Sequence, residues 1–186
     1  EDITRMAQSD IAKRGVGRTF QHVRLRPHMT VLDNVLIGAY ARTRAGFLSC
    51  ALHTERDEEA RATKEAMDEL ARVGLSDKAD QKADNLSLGS QRVLEIARAL
   101  ATNPILLVLD EPAAGLRFME KEALAELLRQ LRAQGMSILL VEHDMDFVMK
   151  LVDRLVVMDF GALLMEGAPE DVRRSPAVQE AYLGRV

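Results

Sequence analysis

At 186 residues, 47% of them hydrophobic, the chain can bury the core of one domain with at most a small appended lobe, and 4% aromatics without tryptophan make that core aliphatic. A formal charge of −4 gives no general attraction to nucleic acid. A single cysteine, Cys50, excludes an internal disulfide and fits a reducing compartment, and four scattered histidines show no zinc spacing. There is no apolar run long enough to span a bilayer, no signal-peptide pattern, no internal repeat and no low-complexity tract, so the chain itself is expected neither to cross a membrane nor to be exported.

In chain order, Thr4 and then Ser9 or Asp10 are candidate caps of short N-terminal helices. Residues 15–21 (Gly-Val-Gly-Arg-Thr-Phe-Gln) read as a turn and a short strand closed by Gln21. Lys13, Arg14, Arg18, Arg24 and Arg26 concentrate positive charge there, either as a solvated basic edge or as a surface that meets phosphate or an acidic partner. Thr30 is placed to cap a helix carrying Val31, Leu32, Val35, Leu36 and Ala39. Residues 43–54 read as a variable connection. Residues 55–73 are the clearest helix, acidic at the start, with an expected apolar stripe of Ala60, Met67, Leu70, Ala71 and Val73, ended by Gly74. Residues 28–88 thus form a mostly helical insertion.

Residues 85–91 (Asn-Leu-Ser-Leu-Gly-Ser-Gln) read as a short Ser/Gly loop opening a helix over 92–101. A helix start presents unpaired N–H groups and suits an anion, Gly89 lets backbone approach closely, and Ser87 can donate to phosphate; a plain capping role for Ser87 or Ser90 is the commoner explanation. Residues 105–112 (Ile-Leu-Leu-Val-Leu-Asp-Glu-Pro) read as a strand buried on both faces, the mark of a parallel sheet, stopping near Pro112. Asp110 and Glu111 then stand at the carboxyl end of a central strand, where open α/β sheets bind ligands; one carboxylate there can hold Mg²⁺ and its neighbour can orient a water. A helix over 120–133 with Leu124, Leu127, Leu128 and Leu131 inward leads to a second buried strand over 137–142, with His143 and Asp144 at the same end. This is a βαβ crossover. Residues 145–151 are expected to be helical, 154–158 and 162–165 to form a hairpin around Asp159-Phe160-Gly161, and Pro169 and Pro176 to start two helices. The nine methionines fall mostly on apolar positions as core filler.

Four elements, Thr19-Phe20-Gln21, the 86–91 loop, the Leu-Leu-Val-Leu-Asp-Glu-Pro strand and Val141-Glu142-His143-Asp144, resemble in order and spacing the ABC-type ATPase domains. Arg18-Thr19-Phe20-Gln21, Leu94-Glu95-Ile96-Ala97-Arg98-Ala99-Leu100, Asp110 through Leu116, Glu142-His143-Asp144-Met145 and the C-terminal segment look like the ATP-binding subunits of branched-chain amino-acid importers. The resemblance implies a P-loop NTPase-like α/β fold, a mostly parallel sheet with a helical subdomain. It divides the chain into a sheet remnant (1–27), a helical subdomain (28–102) and an α/β core (103–186). It implies ATP and Mg²⁺, integral-membrane permease subunits, a second ATPase subunit, no nucleic-acid partner, and a cytoplasmic, peripheral place on the inner face of the cell membrane. By the same resemblance Gln21 reaches metal and γ-phosphate, Ser87 and Gly89 close on ATP held by the opposite subunit, Asp110 holds Mg²⁺ through water, Glu111 is the general base, and His143 contacts the γ-phosphate.

Two departures stand out. No Gly-x-x-x-x-Gly-Lys-Ser/Thr occurs in the 186 residues, so the chain looks like the carboxyl-side three quarters of such a subunit and is expected to hydrolyse no ATP alone. An exposed apolar sheet edge is expected to accompany this. Ser90 stands where Gln is usual, and Arg117-Phe118 where Asn-Pro is usual. Urea or amide importers, a non-catalytic dimer partner and the ABC-type head of a DNA-handling ATPase remain as alternatives; the helical region is far too short for the coiled coil that splits such heads.

Overall fold

The computed structural model describes residues 2–40 and 55–183, so Cys50 and the connection expected over 43–54 lie outside the described residues. Two compact units divide the chain, the first running to Glu142 and the second starting at His143.

In the first unit, α1 (Gln8–Lys13) leads to β1 (Val16–Arg18), then α2 (Val31–Tyr40), α3 (Glu55–Arg72), α4 (Leu88–Leu100), β2 (Leu106–Asp110), α5 (Phe118–Ala133) and β3 (Ser137–Val141). The three strands are parallel in the order β1-β2-β3, with Arg18 opposite Val108 and Asp110 opposite Val141. The βαβ unit expected from the spacing is β2-α5-β3. All three strands therefore run out at one edge, and the segments leaving β1 and β2 meet there.

The helices of this unit have their own core. Thr30 caps α2 as expected: its Oγ1 accepts from Asp33 N–H at 3.0 Å, and Asp33 Oδ2 accepts from Thr30 N–H at 3.1 Å. Val31, Val35, Leu70, Leu94 and Ala97 are fully buried together. The stripe of α3 is rotated from the expected one: Ala62, Ala66 and Leu70 are buried, while Ala60 and Ala71 are exposed. Alanines one helical turn apart let the helices approach closely. The tightest approach involves Gly38 of α2, where a Cβ would lie 2.1 Å from the Arg98 carbonyl oxygen of α4.

Several boundaries differ from the sequence reading. The Ser/Gly loop is largely helix: α4 begins at Leu88 rather than Arg92, because Ser87 caps it and accepts from Ser90 N–H at 3.3 Å. Thr4 caps no helix and instead bonds Asp2, and α1 starts after Ala7 with no side-chain cap. β2 is sealed on one face by Leu107 and Leu109, each 0% exposed, and half-buried on the other. β3 is not a buried strand: Leu139 and Val141 are 53% and 51% exposed. It is the edge of the three-stranded sheet, with a hydrogen-bonded neighbour on one side only among the described residues, and this supplies the expected exposed apolar edge.

The second unit comprises α6 (Met145–Met149), an antiparallel hairpin of β4 (Leu155–Asp159) and β5 (Ala162–Gly167), and two helices, α7 (Pro169–Arg174) and α8 (Pro176–Leu183), which start at the two prolines as expected. Val157, Val172 and Val178 form its small core, with Met149, Leu155, Leu164 and Met165 packed around them. Arg154 and Glu166 form an ion pair across the hairpin.

Candidate active site

The end of β2 builds the site. Asp110 is its last residue, and Glu111 leaves the strand with a φ of 46°, a left-handed conformation that costs an L side chain about 1–2 kcal/mol. The turn is held from β3: Glu111 N–H donates to Val141 O at 2.8 Å, and Ala113 N–H donates to Glu142 Oε1 at 2.8 Å. On the other side Thr19 continues the ladder by donating its N–H to Val108 O at 3.0 Å, which delivers Phe20 and Gln21 to the same edge.

Two side-chain contacts close the group. Gln21 Nε2 donates to Glu111 Oε2 at 3.0 Å, and Arg18 Nη2 donates to Asp110 Oδ2 at 3.1 Å. Of the residues expected to act, Gln21, Asp110 and Glu111 are thus brought together. Arg18, which the sequence marks only as part of a basic edge, joins them. Its pairing partner is not visible in the sequence; the one signal is a basic residue three positions before Gln21. The guanidiniums of Arg18 and Arg24 also lie 5.7 and 5.6 Å from the centre of the Phe20 ring.

The Arg18–Asp110 pair is open to solvent, with side chains 58% and 28% exposed, so it contributes about 0–1 kcal/mol and can be exchanged for another cation. The donor set, two carboxylates and an amide oxygen, is the hard-oxygen chemistry that suits Mg²⁺, and the guanidinium already occupies the place of a positive charge at Asp110. Among the described residues no group of three or more His, Cys, Asp or Glu could hold a metal by itself.

Ser87 and Gly89 have different neighbours. The Ser87 hydroxyl bonds to Ser90, and a Cβ on Gly89 would come within 2.8 Å of Glu120 Oε1, so the first turns of α4 and α5 lie close together and a larger residue at position 89 would push the Glu120 side chain aside. Glu120 also accepts from Arg117 N–H at 2.9 Å, which supplies the capping bond that Arg117 itself cannot. His143 opens the second unit, in the turn between β3 and α6, and the adjacent Asp144 caps α6 by accepting from Phe147 N–H at 3.1 Å.

A buried charged group was missed in the sequence: Glu95, 2% exposed on α4, lies between Arg92 and Arg98. The signal is an Arg-x-x-Glu-x-x-Arg spacing inside an otherwise apolar stretch. Burial pushes its carboxyl above the usual range, against the opposing pull of the Arg24 N–H, Arg98 and Arg92.

A parallel α/β sheet with adjacent acids at its carboxyl edge and a glutamine facing them is the arrangement that the resemblance to P-loop NTPase-like ATP-binding cassettes implies. Comparison with known proteins narrows this. The family profile described as ABC transporter matches residues 1–114, and one described as branched-chain amino acid ATP-binding cassette transporter matches residues 162–186. The high-affinity branched-chain amino acid transport ATP-binding protein LivG of Salmonella typhimurium is 46% identical over 179 residues, covering 94% of this chain and 69% of that protein. The corresponding BraF protein of Pseudomonas aeruginosa is 42% identical over 187 residues, covering 99% and 73%. A crystal structure of the ADP conformation of an ATP-binding cassette of an ABC transporter superposes with a TM-score of 0.82 at 32% identity, over 100% of this chain and 74% of that one. The chain belongs to the ABC transporter family of ATP-binding cassettes.

Proposed function

We propose that the chain is the energy-coupling ATPase subunit of an ABC importer for branched-chain amino acids. The observation that carries the site assignment is the Gln21–Glu111 hydrogen bond beside the Arg18–Asp110 pair, at the edge where three parallel strands end. Phosphoryl transfer needs an oriented nucleophile and neutralised charge more than covalent chemistry. Glu111 orients the attacking water and accepts its proton, with Gln21 holding the carboxylate in place. Asp110 is the residue that would hold Mg²⁺, in place of the Arg18 guanidinium. When bound, that ion would supply positive charge against the transferring phosphate. His143 contacts the γ-phosphate, and Ser87 and Gly89 act on nucleotide held by a second ATPase subunit. The partners are that subunit and integral-membrane permease subunits, and the place of work is the cytoplasmic face of the membrane. No helix among the described residues is long and apolar enough to cross a membrane.

The 186 residues contain no phosphate-cradling Gly-Lys loop, so the chain alone is proposed to bind Mg-ATP poorly and to hydrolyse none above background. Turnover by the purified chain that disappears in Glu111→Gln would overturn that part. The subunit assignment is tested by co-expression with permease subunits of a branched-chain amino-acid importer: retention on the tagged permease supports it, and elution as free protein refutes it.

A further inference from the structure

The buried face of α4 does more than pack. Arg24 N–H donates to Glu95 Oε1 at 2.7 Å, Arg98 Nη1 donates to Arg24 O at 2.7 Å, and Arg92 Nη1 donates to Phe20 O at 3.3 Å. Three bonds from one helix face therefore grip the backbone on both sides of Gln21. Behind them stands a row of charges: Arg98 Nη2 lies 3.5 Å from Glu95 Oε1, and Arg92 Nη1 lies 3.7 Å from Glu95 Oε2.

Stability does not account for this arrangement. Burying a carboxylate between two guanidiniums costs more desolvation than an apolar side chain of the same volume would, and the site is incompletely satisfied. Arg92 Nε and Glu95 Oε2 are buried without a hydrogen bond. What the charges supply is a fixed register for a segment that has no ladder of its own. Beyond Thr19, residues 20–26 carry no helix or strand, yet Gln21 must place an amide nitrogen 3.0 Å from Glu111.

We propose that Glu95 is a positioning residue for the acid site: with Arg92 and Arg98 it locks the backbone of residues 20–24 to α4, so that Gln21 reaches Glu111. Because Ser87 caps α4 and Gly89 lies in its first turn, the helix ties the Ser-Gly segment to the acid pair within one subunit. The inference rests on the reading of Glu111 as the water-orienting acid, but its test uses no nucleotide, so a failure of the ATPase assignment and a failure of the positioning role are told apart.

The test is NMR on the isotope-labelled chain, reading the Gln21 side-chain amide pair and the exchange rate of the Arg24 backbone amide. Glu111→Ala supplies the reference position of a Gln21 amide without its partner. Glu95→Leu, similar in volume but without an acceptor, is expected to move the Gln21 pair to that reference and to speed Arg24 exchange about tenfold or more. Glu95→Gln keeps an oxygen for Arg24 N–H and is expected to restore both signals. An unmoved Gln21 pair in Glu95→Leu, or loss of both signals in a folded Glu95→Gln protein, would overturn the proposal. If Glu95→Leu does not fold, Arg98→Leu removes the bond to Arg24 O instead; the same displacement supports the role, and an unchanged Gln21 pair ends it.

Discussion

Substituting Gly38 by alanine tests the helical packing that holds α4 in place. The added Cβ would sit 2.1 Å from the Arg98 carbonyl oxygen, 3.1 Å from its carbon and 3.2 Å from Ala101 Cβ. Real Cβ atoms keep at least 3.0 Å, and the obstacle is backbone that cannot rotate aside, so α2 and α4 must separate by most of an ångström. That opens the core shared by Val35, Ala39, Leu94 and Ala97. Overpacking of this kind costs about 1–3 kcal/mol, and a carbonyl as obstacle places the cost at the upper end. Alanine returns about 1 kcal/mol through helix propensity. The net loss is about 1–2 kcal/mol, which for a chain of this size lowers Tm by about 2–8 °C. The measurement is thermal melting by far-UV circular dichroism, with hydrogen exchange at α2 and α4 amides to confirm which compact unit responds. A Gly38→Ala protein that melts at or above the temperature of the unmodified chain would refute the close crossing.

Leu94→Ala, at a fully buried position, is expected to cost about 2–5 kcal/mol in urea unfolding, whereas Leu139→Ala on the exposed face of β3 should stay within about 0.5 kcal/mol. Replacing Leu139 and Val141 by lysine should reduce self-association in size-exclusion chromatography, because charge blunts an unpaired apolar edge. Arg18→Ala should change stability by no more than about 1 kcal/mol, and the difference should shrink at high salt. Glu95 gives a pH dependence of definite sign. Its folded-state pKa is raised, chiefly by burial, so in the window just above the ordinary carboxylate range the folded chain binds more protons than the unfolded one. As pH rises through that window the unmodified chain should lose stability relative to Glu95→Gln; a gain would contradict the burial.

The elements legible in the sequence are those whose signal is local. The all-aliphatic run before Asp110, the Thr30 capping position, the four inward leucines of α5 and the two prolines starting α7 and α8 each depend on neighbours within a few residues. The acid pair can be placed at a strand end for the same reason. The features that stay hidden depend on partners far along the chain. Arg18 has the look of surface charge because Asp110 is 92 residues away, and the burial of Glu95 leaves no local mark because Arg24 is 71 residues away. Likewise β3 reads as buried by composition, and only its position at the edge of the sheet leaves Leu139 and Val141 open to water. The stripe of α3 is ambiguous because alanines recur all round the helix, and only the packing partners decide which of them face inward.

The left-handed backbone of Glu111 sets a trap for protein engineering. Glycine there would relax the strained dihedral and return about 1 kcal/mol, so a library selected only for heat tolerance would favour losing the acid. Any stabilising campaign on this cassette therefore needs a second readout that follows the Gln21–Glu111 contact, or it will harvest robust proteins that have lost the acid.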